Sequence, residues 1–108
     1  MILMPCPFLK EWVRLSAERE AHVRGHHSAF GSRLLDLVRE TLADPDEIRW
    51  SRDDESVLLF WRWYPALHRG KYVAVVVVLD AAGGTAPWIV TAYVARKPLP
   101  GTIAWHRS

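Results

Sequence analysis

The sequence predicts an α+β fold in which two N-terminal helices pack on one face of a mostly antiparallel sheet of four to five strands. Apolar residues recur at helical spacing early in the chain, the period switches to two after Pro45, and Gly and Pro turns then cut the second half into strand-length runs. Helices followed by a meander of strands place the helices together on one face of the sheet. With 108 residues there is room for one domain. It is read as a lead-in over residues 1–9, a helical part over 10–46 and a sheet over 47–108.

Taken in order, Glu11 to Leu15 alternates loosely and reads as a short strand or an extended lead-in. Ser16 is a good N-cap for a helix from Ala17 to His26, weakened at Gly25, with Glu18 and Glu20 in the first turn where the helix dipole favours carboxylates. Ser28 to Ser32 is a turn, and Ser32 caps a second helix in which Leu34, Leu35, Val38 and Leu42 share a face. That helix stops at Asp44, because Pro45 disfavours the helical region for the residue before it. Ile48 to Ser51 is a short strand, Arg52 to Glu55 a charged turn, and Val57 to Tyr64 a long aromatic strand. After a loop over Pro65 to Gly70, the almost continuous valines of Tyr72 to Asp80 describe a central strand buried on both faces. Ala81 to Thr85 contains Gly83-Gly84 and reads as a hairpin turn. A strand over Trp88 to Arg96, a turn over Lys97 to Gly101 and a short edge strand over Ile103 to Trp105 complete the chain.

Composition narrows the function classes. Half of the residues are apolar and 24% charged, a globular balance. Six tryptophans imply a thick aromatic core, a stacking surface, or both. Cys6 is the only cysteine, which excludes an intramolecular disulfide and a cysteine-based zinc site. The N-terminus lacks the pattern of a secretory signal, and the apolar run Val73 to Leu79 is far short of the ~20 residues of a membrane helix. A cytoplasmic protein without membrane contact is therefore expected. The net charge of +2 is small but unevenly placed. Residues 1–55 hold 8 Lys and Arg against 11 Asp and Glu, whereas residues 56–108 hold 6 against Asp80 alone. A basic half with aromatics between its charges fits a phosphate-bearing ligand, or a face that docks on an acidic one.

Strand parity decides which side chains can meet. Arg62 shares a face with Leu58, Phe60 and Tyr64, and Trp61 and Trp63 point the other way. An arginine in an aromatic strand is costly to bury unless paired, so Arg62 sits at an ion pair or faces a site. Thr91, Tyr93 and Lys97 share one face of the later strand, and Trp88, Val90, Ala92 and Val94 the other. His22 and His26 stand one turn apart, with His27 beside them. Two histidines at that spacing can bind zinc, but a third ligand at a defined spacing is missing, and no cofactor is expected. Histidine titrates near neutrality and suits acid or base work in phosphoryl transfer. These parts fit metal-free RNA cleavage, in which one group takes the 2′-hydroxyl proton, another protonates the leaving 5′-oxygen, and a cation steadies the phosphate. The alternative is an inactive module of the same fold that binds RNA or protein through the same basic face.

The segments KEWVRLSAEREAHVRGHH, VRETLADPDEIRWS, VLLFWRWYP, GKYVAVVVVLD and IVTAYVARKPLPG, with a terminal Trp, resemble the phage- and toxin-associated branch of the Barnase–EndoU–colicin–RelE-like nucleases. The resemblance runs from about Lys10 to Trp105 through short motifs. It implies a small α+β endoribonuclease, acting without metal on RNA and neighboured by a small antitoxin protein. His22 matches the first helix histidine, and His27 the histidine of an Arg-His-Pro-Glu-like segment that here reads His26-His27-Ser28-Ala29. Arg62, Lys71, Thr91 and Tyr93 match places in the strand motifs. The implied roles are acid and base for His22 and His27 in either order, and phosphate holding for Arg62, with donation from Thr91 or Tyr93. Lys71 and Lys97 would steer the RNA backbone. The edge strand at Ile103 to Trp105 offers a place for a partner, including a second copy in a homodimer.

Overall fold

The computed structural model describes residues 1–26, 33–67, 69–79, 87–98 and 100–107. A hairpin of β1 (Ile2–Cys6) and β2 (Glu11–Leu15) comes first, followed by α1 (Ala17–His26) and α2 (Leu34–Ala43). The strands β3 (Glu47–Ser51), β4 (Val57–Tyr64), β5 (Lys71–Val78), β6 (Trp88–Ala95) and β7 (Gly101–His106) complete the described chain. All seven strands form one sheet in the order β1-β2-β6-β5-β4-β3-β7. Pairing is antiparallel throughout except where β2 meets β6 in parallel at Arg14 and Trp88.

This corrects the expected sheet of four to five strands behind two N-terminal helices. The first nine residues are not a lead-in. They contain β1, and the helices are inserted after a strand pair. Pro5 and Pro7 disguise that strand in the sequence. A proline is tolerated at a sheet edge, where its missing N–H faces outward, and β1 is an edge. Alternation within it is clear in space: Met4 and Cys6 are buried while Leu3 and Pro5 are exposed. The hairpin tip turns at Lys10, whose φ is 58°. Phe8 meets Phe60 edge to face there, with centroids 6.3 Å apart.

Both helices lie on the same side of the sheet. Ser16 caps α1 as expected, its Oγ accepting from Arg19 N at 3.1 Å. The cap expected at Ser32 lies outside the described residues, as do the turn around it and the hairpin turn over Ala81 to Thr85. Leu34, Leu37, Val38 and Leu42 of α2 are buried against Met4, Ile48, Phe60 and Val75 of the sheet. Central β5 buries Val73, Val75 and Val77 on this side. Among the described residues no helix is long and apolar enough to cross a membrane.

The opposite face carries a second, smaller core of Leu59, Trp61 and Ala74, with no described helix over it. Its shape follows from one connection. Ala95 ends β6 at the edge where Tyr72 begins β5, while Gly101 begins β7 opposite Ser51, at the far end of β3. On a flat sheet these points would be about 28 Å apart, from four inter-strand spacings and about six residues of strand length. Six Cα steps reach only about 21 Å. The sheet must therefore twist and curl toward the link, and Pro100, which lines a cavity with Leu59, Val76 and Tyr93, lies on this face, so the face is concave along that diagonal. The turn expected over Lys97 to Gly101 includes Leu99, which lies outside the described residues; on either side of it, Ala95 and Gly101 belong to strands that are not neighbours in the sheet.

Candidate nucleic-acid interface

The concave face is built by alternation. Trp61 and Trp63 of β4 point to it, and they pair across the ladder with Ala74 and Tyr72 of β5, while Tyr93 of β6 lies opposite Ala74. The rings form a chain of edge-to-face contacts. Trp63 to Tyr72 is 5.0 Å between centroids, Tyr72 to Trp61 is 6.2 Å, and Trp61 to Tyr93 is 6.0 Å. Trp61 is fully buried as the floor, whereas Trp63 is 42% exposed at one end of the run. Gly70, at φ 77°, makes that placement possible. A Cβ there would enter the Trp63 ring, so the indole lies directly over the bare backbone.

Beside Tyr93 the face deepens into a cavity of about 400 Å³ lined by Leu59, Val76 and Tyr93, with Arg52, Asp53 and Pro100 at its rim. Burial raises the pKa of the Tyr93 phenol, so it stays protonated and able to donate at neutral pH. Glu47 and Arg49 lie on the same face, opposite Trp61 and Leu59, and pair at 3.1 Å with both side chains largely covered. Sequence reasoning missed this pair and the Trp63–Tyr72 contact. The signal was the i, i+2 spacing of Glu47 and Arg49 in a strand, which places them together on whichever face Trp61 takes.

The expected site residues do not converge. Thr91 and Tyr93 are on the concave face, and Lys97 is exposed just beyond the end of their strand. Arg62 and Lys71 are on the helix-covered face. Arg62 Nη1 donates to the Asp44 carbonyl at 2.5 Å and to its Oδ2 at 2.9 Å, and the guanidinium stands over the Tyr64 ring. Asp44 is shared with Arg107, which also donates to Asp46 Oδ1 at 3.1 Å. Hydrogen bonds from Arg107 and then Arg62 hold the Asp44 carboxyl below its usual range. Of the two alternatives for Arg62, the ion pair is the one present. Lys71 Nζ donates to the Gly70 carbonyl at 3.3 Å. His22 is exposed on α1, which packs against β6. His27 and the side chain of His26 lie outside the described residues. Among the described residues no group of three His, Cys, Asp or Glu could hold a metal ion.

A β-bulge revises the parity expected on β6. Val76 pairs with Thr91 and Val77 with Ile89, so Val90 is the additional residue. Ile89 is buried with Ala92 on the helix side, while Trp88, opposite Val78 and Arg14, falls on the concave side. In comparisons with protein-family models, curated proteins and solved structures, nothing matches this chain.

Proposed function

We propose that the chain binds single-stranded RNA across its concave sheet face. One observation carries the reading: an aromatic run that ends in exposed Trp63 lies on the same face as a cavity rimmed by Arg52 and followed by Lys97. Unpaired bases have flat faces that stack on Trp and Tyr whatever their sequence, and cations beside the rings track the phosphates. A duplex hides its base faces and gains little from such a surface. The test is fluorescence anisotropy with a labelled single-stranded RNA and its duplex. Trp63→Ala is expected to weaken single-strand binding by roughly 5- to 150-fold, the loss of one stacked base at about 1–3 kcal/mol. Equal affinity for the duplex, or no effect of Trp63→Ala, would overturn the proposal.

A second reading, metal-independent cleavage of the bound strand, is favoured by the Glu47–Arg49 pair. In this reading the Glu47 carboxylate takes the 2′-hydroxyl proton as that oxygen attacks the phosphorus, the Arg49 guanidinium steadies the phosphate, and a solvent water protonates the leaving 5′-oxygen as its bond to phosphorus breaks. Cyclic-phosphate products in excess EDTA, lost in Glu47→Gln and kept in His22→Ala, are the expected result. Binding without products would leave the chain a binding module.

A further inference from the structure

The cavity beside Tyr93 has two unlike sides. Its walls are Leu59, Val76 and the Tyr93 ring, from three neighbouring strands. Its charged groups come from one short segment, Ser51 to Asp53, where β3 gives way to the turn into β4. That turn is tied down. Val57 N donates to Asp54 O at 3.1 Å, and the Asp54 carboxylate accepts from Ser56 N at 2.9 Å and from Ser56 Oγ at 2.7 Å. The Ser56 hydroxyl, and after it the Ser56 N–H, hold the Asp54 carboxyl below its usual range. The adjacent acid is placed differently. Asp53 N donates to Ser51 Oγ at 3.3 Å, but among the described residues no ion pair takes up the Asp53 carboxylate. One carboxylate fastens the turn, and the other is left at the rim of the cavity.

We propose that this cavity takes one unstacked base of the bound strand and that the base it selects is guanine, an inference that rests on the RNA reading of the concave face. At about 400 Å³ the cavity lies at the small end of ligand pockets, a size for one base. Apolar walls and an aromatic ring suit the flat faces of any base, so the choice among bases falls to the polar rim. A carboxylate only accepts, at two oxygens side by side. Guanine alone sets two donors together on its Watson–Crick edge, N1–H and the N2 amino group, with the O6 acceptor next to them. Asp53 can take both donors at once. The Ser51 hydroxyl, whose oxygen already accepts from Asp53 N, keeps its proton to give to O6. Adenine and cytosine offer one amino group, and the ring nitrogen beside it would turn a lone pair toward the second carboxylate oxygen. Uracil has a single N–H flanked by two carbonyls. Each of these mismatches sets acceptor against acceptor, which rejects the wrong base as well as failing to hold it. Arg52, at the same rim, remains for the phosphate.

Short labelled oligouridylates carrying one central guanosine, inosine, adenosine or cytidine test the pocket by anisotropy. Inosine keeps N1–H and O6 but lacks the amino group. The guanosine strand is expected to bind roughly tenfold more tightly than the adenosine and cytidine strands, with inosine between them. Asp53→Asn removes a negative charge near every strand alike, so the quantity to read is the ratio of guanosine to adenosine affinity, which should fall toward one. Equal affinities in wild type, or a preference that survives Asp53→Asn, would overturn the pocket and leave the RNA reading standing. If no strand binds, the RNA reading fails, and an NMR titration with guanosine and adenosine monophosphates decides the pocket alone. Amide shifts around Leu59 and Val76 that saturate with the guanine nucleotide, and are absent with the adenine nucleotide and in Asp53→Asn, would sustain it. Equal shifts with both nucleotides, or none, would remove it.

Discussion

In the middle of β4, Arg62 stands between Phe60 and Tyr64 on the helix-covered face and reaches the carbonyl and carboxylate that end α2. The parity of this residue was legible in the sequence, but its partners were not. Asp44 is 18 residues away, and Arg107, which completes the cluster, is 63 residues from Asp44. Only the return of β7 beside β3 brings them together. The cluster ties three chain segments at one place, so Arg62→Ala is expected to reduce stability and leave RNA affinity unchanged. Its pairs are partly solvated, which limits the loss to about 1 kcal/mol in urea unfolding at pH 7. Asp44 titrates below its ordinary value when folded. Its contribution is therefore present above the unfolded carboxylate pKa and lost as pH falls through the lowered folded one. The difference between wild type and variant should shrink in that acid window. A variant as stable as wild type at pH 7 would count against the clasp.

Among the elements, β4 was read with its bounds intact, because a run of large apolar side chains between a charged turn and Pro65 has no competing pattern. The neighbours β3, β5 and β6 were within two residues of their ends for the same reason. What sequence periodicity could not supply was the edge strand with two prolines, the bulge at Val90, and the return of β7 to the far edge. Each is a property of a strand's neighbours rather than of its own residues. The candidate site suffered similarly: Thr91 and Tyr93 were placed correctly relative to each other, but Arg62 and Lys71, meant to join them, lie on the other face. The turn from β4 to β5 offers a test at this scale. Gly70 N donates to Leu67 O at 2.5 Å and has positive φ, with Trp63 packed on its Cα. Gly70→Ala strains the backbone and displaces the indole together, at a cost of roughly 1–3 kcal/mol. Thermal unfolding should register that loss, and RNA affinity should fall toward that of Trp63→Ala. A stable variant with full affinity would mean that the Trp63 position is not held by the turn.

For the whole molecule, the uneven charge and the curled sheet meet on one face. The acidic first half contributes Glu47 and Asp53 to the concave side but neutralises the former with Arg49, while the basic second half supplies the link that crosses it. Arg52, Arg96 and Lys97 are exposed around that link. If these three contact phosphates, counterion release sets the salt dependence. For a single strand, log K falls against log salt with a slope near −0.7 per neutralised phosphate, hence about −2 in total. Stacking carries no such dependence. Lys97→Ala is therefore expected to make the slope shallower by about 0.7 and to weaken binding most at low salt. Trp63→Ala should lower affinity equally at every salt concentration and leave the slope alone. Titrations of anisotropy from about 50 to 200 mM salt separate the two. A slope near zero in wild type would remove the phosphate contacts from the reading and leave an aromatic face that recognises something other than a polyanion.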